Sequence, residues 1–411
     1  MLDARRRVVV TGMGAVTAAG TLPGTMFDQV CAGQSGIRHL PDQMPSSPIP
    51  MAAWIESGID DDPKTKAHDR ATQLALTAAR LALTDAGVLD VPEFCEVTGV
   101  YLGTGAGPIG TMDQTYHRLY AEGRDRVAPM TLPRTIHNAP ASEIAIRYGL
   151  KGGNTTYAVA CASSSSAIGE AMRAIRHGYS DRILAGGTEA MLNYGALHAW
   201  SALRAYATPA DPIDASCRPF SADRDGLVMG EGSGFLVLES LESARARGAT
   251  ILAELVGYGV SCDAVHITHP DSGGQIRAIQ AALNDAALEP EAVDYINAHA
   301  TGTPVGDAVE AASLHAVFGK RMPDIPVSST KAVHGHLMGA GGAVELIISL
   351  LALQQGCIPP TAHCREPDMA LGLDVVATSP RKSVINTVMS NSFAFGGSNV
   401  VLIAEKLRIQ S

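Results

Sequence analysis

TTYAVACASSSSAIGEAMRAI, residues 155–175, is the stretch that decides the fold class. Its β-branched, apolar start reads as a strand. Ile168, Ala171, Met172 and Ile175 then recur at the spacing of one helix face. Between the two sits a single thiol, Cys161, followed by four serines. A helix N-terminus carries free N–H groups and partial positive charge, so the position favours a thiolate with a lowered pKa. The serines are expected to cap those N–H groups. The competing reading is a small buried residue with a serine-rich cap.

The same punctuation runs outward in both directions. RRVVVTGMG, VTGVYLGTG, RILAGG, GFLVLES, ILAELVGYG, AVDYINAHA, IPVSS and NVVLIAEKL read as strands. RATQLALTAARLALTDAG and QIRAIQAALNDAAL read as helices between them. The class is α/β with at least some parallel sheet. At 411 residues the chain exceeds one ordinary domain. Strand spacing suits an internally duplicated fold divided into 1–250 and 251–411, although no repeat is visible by inspection. No low-complexity linker separates the halves, so they are expected to share an interface.

Net charge is −10 with no long basic block, which argues against nucleic acid and membrane surfaces as partners. No apolar run approaches the ~20 residues of a membrane span. The basic start, MLDARRR, lacks a cleavage signature, so no signal peptide is expected. Seven scattered cysteines without CxxC spacing fit reduced thiols of a cytoplasmic protein. Six of them are expected to be small core residues.

Two further segments repeat the strand, polar residue, helix layout. In YINAHATGTPVGDAVEAASLHAVFG (295–319) a strand ends at His299, Gly302 turns, Pro304 suits a first helical turn, and Asp307 and Glu310 share a helix face. In IPVSSTKAVHGHLMGAGGAVELIISLLAL (325–353) a strand through Val327 leads to Lys331, His334 and His336. Histidines two apart without a third ligand nearby are weak grounds for a metal, and none is expected. In parallel α/β sheets functional groups gather beyond the carboxyl ends of strands. Convergence of the three ends would place a thiol, two imidazoles, an ammonium and carboxylates in one pocket, a set suited to nucleophilic acyl chemistry. A fourth piece, MSNSFAFGGSNVVL (389–402), is a glycine turn before a strand, and a free N–H there can serve an oxyanion. Gly105-Ala-Gly107-Pro-Ile-Gly110 matches GxGxxG literally, but Pro108 suits a helix opening poorly and no residue obviously supplies the acidic position about 20 further on. Ile109 and Met112 are instead expected along an acyl channel.

Taken in order, Cys161, HATGTPVGD, KAVHGH and FGGSN resemble the β-ketoacyl-acyl carrier protein synthases of the KAS I/II type, condensing enzymes of the thiolase superfamily. The resemblance runs from VVVTGMGAVTAAG to SNSFAFGGSN and includes RPFSADRDGLVMGEGSG (218–234), read as scaffold. It implies a thiolase-like duplicated fold, a five-layered αβαβα sandwich. It also implies a homodimer, or a heterodimer with a ketosynthase-like chain-length factor. By the same resemblance Cys161 is the acyl-accepting nucleophile, and His299 and His336 act on the malonyl unit. Lys331 has Glu310 as expected partner and holds His336 in place, with Asp307 in the same network. Thr301 and Thr303 contact the phosphopantetheine arm, and Phe393 lines the acyl site. Phe395 gates it and supplies an oxyanion N–H. No free cofactor is implied, because substrates ride on the phosphopantetheine of an acyl carrier protein.

Three residues depart from the family pattern: His334 for a small or hydroxylated residue, and Ala300 and Ala394 for glycines. Thr131 stands where some relatives carry an aromatic near the tunnel end. These differences make polyene or polyketide synthesis a competitor to fatty-acid synthesis. Lys64, Lys66, Arg70, Arg124 and Arg126 fall where relatives place a carrier-docking patch, although Asp60, Asp61 and Asp62 lie alongside. The rival function is a thiolase-like acyltransferase or hydrolase on acyl-CoA. A chain-length factor would lack the cysteine.

Overall fold

Five strands of the main sheet come from the first half of the computed structural model, which describes residues 6–41 and 47–407. They are β1 (Val8–Thr17), β2 (Gly99–Gly103), β3 (Asn154–Tyr157), β4 (Arg182–Glu189) and β5 (Gly232–Ser240). Six more follow: β6 (Ala253–Cys262), β7 (Tyr295–Asn297), β8 (Pro326–Ser328), β9 (Asp374–Val375), β10 (Thr387–Ala394) and β11 (Ser398–Glu405). The hydrogen-bonded order is β9-β8-β7-β10-β11-β6-β1-β5-β4-β2-β3. Outward from β1, the neighbours β5 and β4 are antiparallel, then β2 and β3 parallel. Outward from β6, β11 and β10 are antiparallel, then β7 and β8 parallel. The two halves thus repeat one strand order, and only Val8–Val10 of β1 pair across to β6.

Helices complete five layers. α1 (Arg70–Asp85) and α2 (Ala139–Tyr148) cover the outer face of the first half. α3 (Ser163–Arg176) and α6 (Gly341–Gln355) lie together in the central core. α4 (Ser272–Ala286) and α5 (Pro304–Phe318) cover the second half. Position explains composition: α6 is buried on every side from Gly341 to Leu353, so it is apolar there apart from Glu345 and Ser349. Its stretch Met338–Gln355 is apolar enough to cross a membrane, yet is 89% buried inside the chain. Of the outer helices, α1 and α4 are amphipathic and capped, by Asp69 and Asp271.

The repeat that inspection of the sequence does not show has a residue-level trace. On β1, a Cβ at Gly12 would meet the Ala82 carbonyl at 2.5 Å, and one at Gly14 the Ala78 carbonyl at 2.1 Å. On β6, Gly257 faces the Ala282 carbonyl at 2.5 Å and Gly259 the Ala278 carbonyl at 2.0 Å. Each half therefore seats an outer helix directly on strand backbone, through paired glycines and alanines four apart.

Two expectations change. Pro108 does open a helix, Ile109–Tyr120, as its N-cap residue. Cys262 is exposed rather than core, and Cys31 is half-buried, while all seven cysteines are free. Residues 1–5 of the basic start lie outside the described residues.

Gly14→Ala and Gly259→Ala are each expected to destabilise the protein by about 1–3 kcal/mol through overpacking, seen as lowered melting midpoints. Gly24→Ala, where a Cβ meets nothing within 4 Å, should leave the midpoint unchanged or raised. Equal melts for all three would mean that the outer helices recede freely.

Candidate active site

The first arm of the site leaves β3, turns through a short 3₁₀ segment at Ala160–Ala162 and enters α3. Ala160 adopts φ +45°, a left-handed conformation disfavoured for alanine, and so turns Cys161 inward. The serines do not cap the helix. Ser163 accepts from the Val159 N–H at 2.8 Å and donates to the Ala160 carbonyl at 2.7 Å. Ser164 accepts the Ala343 N–H of α6 at 2.9 Å, and Ser165 meets Ser392 of β10 at 2.8 Å. They lock the cysteine turn to the second half of the molecule.

The second arm follows β7. Glu310, on the inner face of α5, accepts from the N–H groups of His299 at 2.9 Å and Ala300 at 2.7 Å, and from Asn391 at 3.0 Å. Asp307 accepts from the Gly302 and Phe220 N–H groups at 3.1 and 2.9 Å. Both carboxylates therefore hold backbone, one on each side of the Thr301–Thr303 turn. Burial pushes Glu310 up to about 7 and Asp307 up to about 6. Ala300, in place of a glycine, packs its methyl into the second outer core.

The third arm follows β8. Lys331 is 1% exposed, and its ammonium lies 2.5 Å from Glu345 of α6, itself 1% exposed. The expected Lys331–Glu310 pair is thus replaced by Lys331–Glu345, because Glu310 is committed to backbone N–H groups. A carboxylate isolated in the apolar run GGAVELIISLLAL was the available signal, since a buried charge needs a partner. His334 is fully buried, bonded to Thr330 Oγ1 at 2.9 Å and to the Gly335 carbonyl at 2.8 Å. Both of its nitrogens are occupied, and it faces no metal site.

The arms converge. His336 Nε2 lies 3.1 Å from Cys161 Sγ, and ligand atoms of Cys161, His299 and His336 all fall within 4.8 Å of one another. Among the described residues this is the group of three suited by geometry to hold a metal ion. The His299 and His336 rings meet edge to face at 5.6 Å. Burial, with the charge of Lys331, holds His336 down at about 3 and His299 well below the usual imidazole range, so both rings are neutral. Burial also pushes the Cys161 thiol up to about 12, against the Phe395 N–H, the Lys331 charge and its own N–H. Enclosure therefore favours the thiol over the expected low-pKa thiolate. The two N–H groups aimed at the sulfur act on negative charge once it forms.

A cavity of about 370 Å³ opens onto this cluster, lined also by Thr301, Thr303, Phe393, Phe395, Trp200 and Arg204. Phe395 and Ala394 sit at the β10–β11 hairpin, where Ala394 pairs with Ser398 and Gly396 and Gly397 adopt φ +83° and +75°. The Phe395 ring stacks on Trp200 at 6.1 Å. Trp200, and Met338, whose sulfur lies 3.7 Å from Cys161 Sγ, were not evident from sequence. Nor was Glu189, whose carboxylate takes the N–H groups of Gly105 at 2.6 Å, Ala106 at 3.2 Å and Gly339 at 3.0 Å. The glycine-rich turn thus binds an internal carboxylate where a nucleotide motif would bind phosphate.

Other expected residues do not reach the cavity. Ile109, Met112 and Thr131 are half-buried and outside its lining. Arg70 is bound to Glu231 through two nitrogens, at 2.7 and 3.1 Å, and to the Ile55 carbonyl at 2.6 Å, so it braces the fold and is not a free docking cation. Lys66 and Arg124 project from the surface, paired with Asp61 and Glu122 at 2.8 Å each. Lys64 and Arg126 are exposed.

Alkylation of Cys161 by iodoacetamide, followed by peptide mass, is expected to be slow at pH 7 and to rise about tenfold per pH unit to pH 9. Exposed Cys262 should react first. A rate that levels off below pH 8 would reveal a thiolate already present.

The chain matches the family model for the β-ketoacyl synthase N-terminal domain over residues 5–244, and that for the C-terminal domain over residues 252–365. It is 42% identical over 414 residues to 3-oxoacyl-[acyl-carrier-protein] synthase 2 of Staphylococcus aureus (strain COL), covering 98% of this chain and 99% of that relative. Among solved structures it resembles the ishigamide ketosynthase/chain length factor, with TM-score 0.92 and 36% identity over 98% of this chain and 100% of that one. It also resembles a type II PKS acyl-carrier protein in complex with its ketosynthase bound to the hexaketide, with TM-score 0.91 and 29% identity over 98% and 100% of the two chains.

Proposed function

The chain belongs to the β-ketoacyl synthase family, and we infer that it is an elongating β-ketoacyl-acyl carrier protein synthase whose chemistry is carried by Cys161, His299 and His336. One observation carries the assignment of residues: a thiol and two neutral imidazoles within 4.8 Å on the wall of one cavity.

The reaction has two halves. In the first, Cys161 attacks the thioester of an acyl carrier, the carbon–sulfur bond to pantetheine breaks, and the thiol proton leaves on the pantetheine sulfur. In the second, malonyl carrier protein loses carbon dioxide, and its electron pair passes to the thioester oxygen as an enolate. N–H groups of His299 and His336 stabilise that oxygen. The enolate carbon attacks the Cys161 thioester, whose oxyanion falls to the N–H groups of Cys161 and Phe395, each worth roughly 3 kcal/mol. The Cys161–acyl bond breaks with its electron pair on sulfur, the thiolate takes a proton from water to restore the thiol, and the chain leaves two carbons longer.

Lys331 has a defined part. Beside two imidazoles its charge favours their neutral form, and Glu345 keeps that charge from standing alone in a dry interior. Thr301 and Thr303, 3.2 Å apart on the cavity wall, suit the amides of the pantetheine arm. Carrier docking falls to Lys64, Lys66, Arg124 and Arg126 rather than to Arg70. Pairing with a second ketosynthase-fold chain is supported by the short exposed edge strand β3 and by Met130, Leu132 and Ile136, which are 49%, 67% and 43% exposed. With Cys161 present, this chain is the catalytic member of any such pair. Its seven free thiols fit the reducing cytoplasm.

Cys161→Gln is expected to abolish condensation yet leave carbon dioxide release from malonyl carrier protein. His299→Ala and His336→Ala should still take an acyl group on Cys161, seen by intact mass, while losing decarboxylation by about 10²-fold or more. Folded variants that lose both half-reactions together would overturn this division of labour.

A further inference from the structure

We propose that His334 is a positioning residue for His336, acting through the peptide between Gly335 and His336 and serving the decarboxylating half of the reaction. The proposal rests on the role given to His336 above. It starts from hydrogen-bond direction. A carbonyl oxygen only accepts, so the Gly335 carbonyl, 2.8 Å from His334 Nδ1, places the ring proton on Nδ1. With the ring neutral, Nε2 then accepts from the Thr330 hydroxyl at 2.9 Å. A directed chain runs from Thr330 through His334 to the Gly335 carbonyl. Fully buried, with both nitrogens used, His334 has nothing left to offer a substrate; what it grips is the peptide bond entering His336.

That peptide is held from the other side as well. The His336 N–H donates to the Val228 carbonyl at 2.7 Å, and the Gly230 N–H donates to the His336 carbonyl at 3.0 Å. Gly335 turns between the two clamps at φ +72°, with so little room that a Cβ would lie 2.9 Å from that of Ala53. The His336 ring needs such a mount. Among the described residues no hydrogen-bond partner reaches its Nδ1, so backbone and packing aim Nε2 at the sulfur. Cys161 has a separate mount, the Ala160–Ala162 turn and the serines behind it. A change at His334 therefore moves one catalytic group and leaves the other.

The two nitrogens can be tested apart. In His334→Asn the side-chain amide reaches where Nδ1 stood and can donate to the Gly335 carbonyl. In His334→Gln it reaches towards Thr330 and leaves that carbonyl unpaired. With purified full-length protein, acyl loading of Cys161 from an acyl carrier is read by intact mass. Carbon dioxide release from malonyl carrier protein is read separately, in the Cys161→Gln background. Loading should stay within about threefold of the parent in both variants. Decarboxylation should fall about 10–100-fold in His334→Gln, the scale expected when a reacting group is misplaced by up to an ångström, and stay within about threefold in His334→Asn. Melting curves establish that both variants are folded, and His334→Ala, if it folds, should behave as His334→Gln. Equal decarboxylation in the Asn and Gln variants would overturn the proposal, as would parallel loss of both half-reactions. A parent protein that releases no carbon dioxide would instead overturn the role of His336, and the proposal with it.

Discussion

At the centre of the molecule an ammonium and a carboxylate sit 2.5 Å apart with almost no access to water. Removing either would leave the other as a lone charge in a dry interior, a loss on the order of 3–5 kcal/mol. The pair also sets the chemistry around it. Lys331 presents positive charge to His299, His334 and His336, and burial acts in the same direction, so all three imidazoles are held neutral. A neutral imidazole donates a hydrogen bond to an enolate and then needs no proton returned, which suits a reaction in which carbon dioxide leaves without acid catalysis.

Neither half of the molecule contains a complete site. The sulfur comes from the first half, and both imidazoles and the hairpin N–H come from the second. Serines joining α3 to α6 and β10 hold the two in register. Carboxylates recur as backbone holders: Glu310 under His299, Asp307 under Gly302, and Glu189 under Gly105 and Gly339. Each is held by backbone N–H donors, and Asp307 also has the Arg224 guanidinium 3.7 Å away.

Much of this was legible in the amino-acid sequence because strand ends announce themselves. β-Branched runs stop at Cys161, His299 and Val327, and helical spacing resumes after each, so their convergence beyond the sheet could be inferred. Partners separated by long stretches of chain could not. Glu345 looks like one polar residue in an apolar helix, and choosing it over Glu310 as the partner of Lys331 requires knowing that Glu310 already holds two N–H groups. The sign of the cysteine shift was missed for a similar reason: local order suggests a helix terminus, whereas enclosure by Leu192, Leu197, Trp200 and Met338 sets the outcome. The bracing bond of Arg70 is not visible locally, because Glu231, its partner, lies 161 positions away.

At the glycines of β1 and β6 the two halves agree, and they agree in having no side chain. Kinship of this kind is written in vacancies, invisible to any comparison that scores shared atoms. It also fixes where the architecture can drift: faces bearing side chains are free to diverge between halves, while the backbone-to-backbone seams have no atom to exchange and must stay bare.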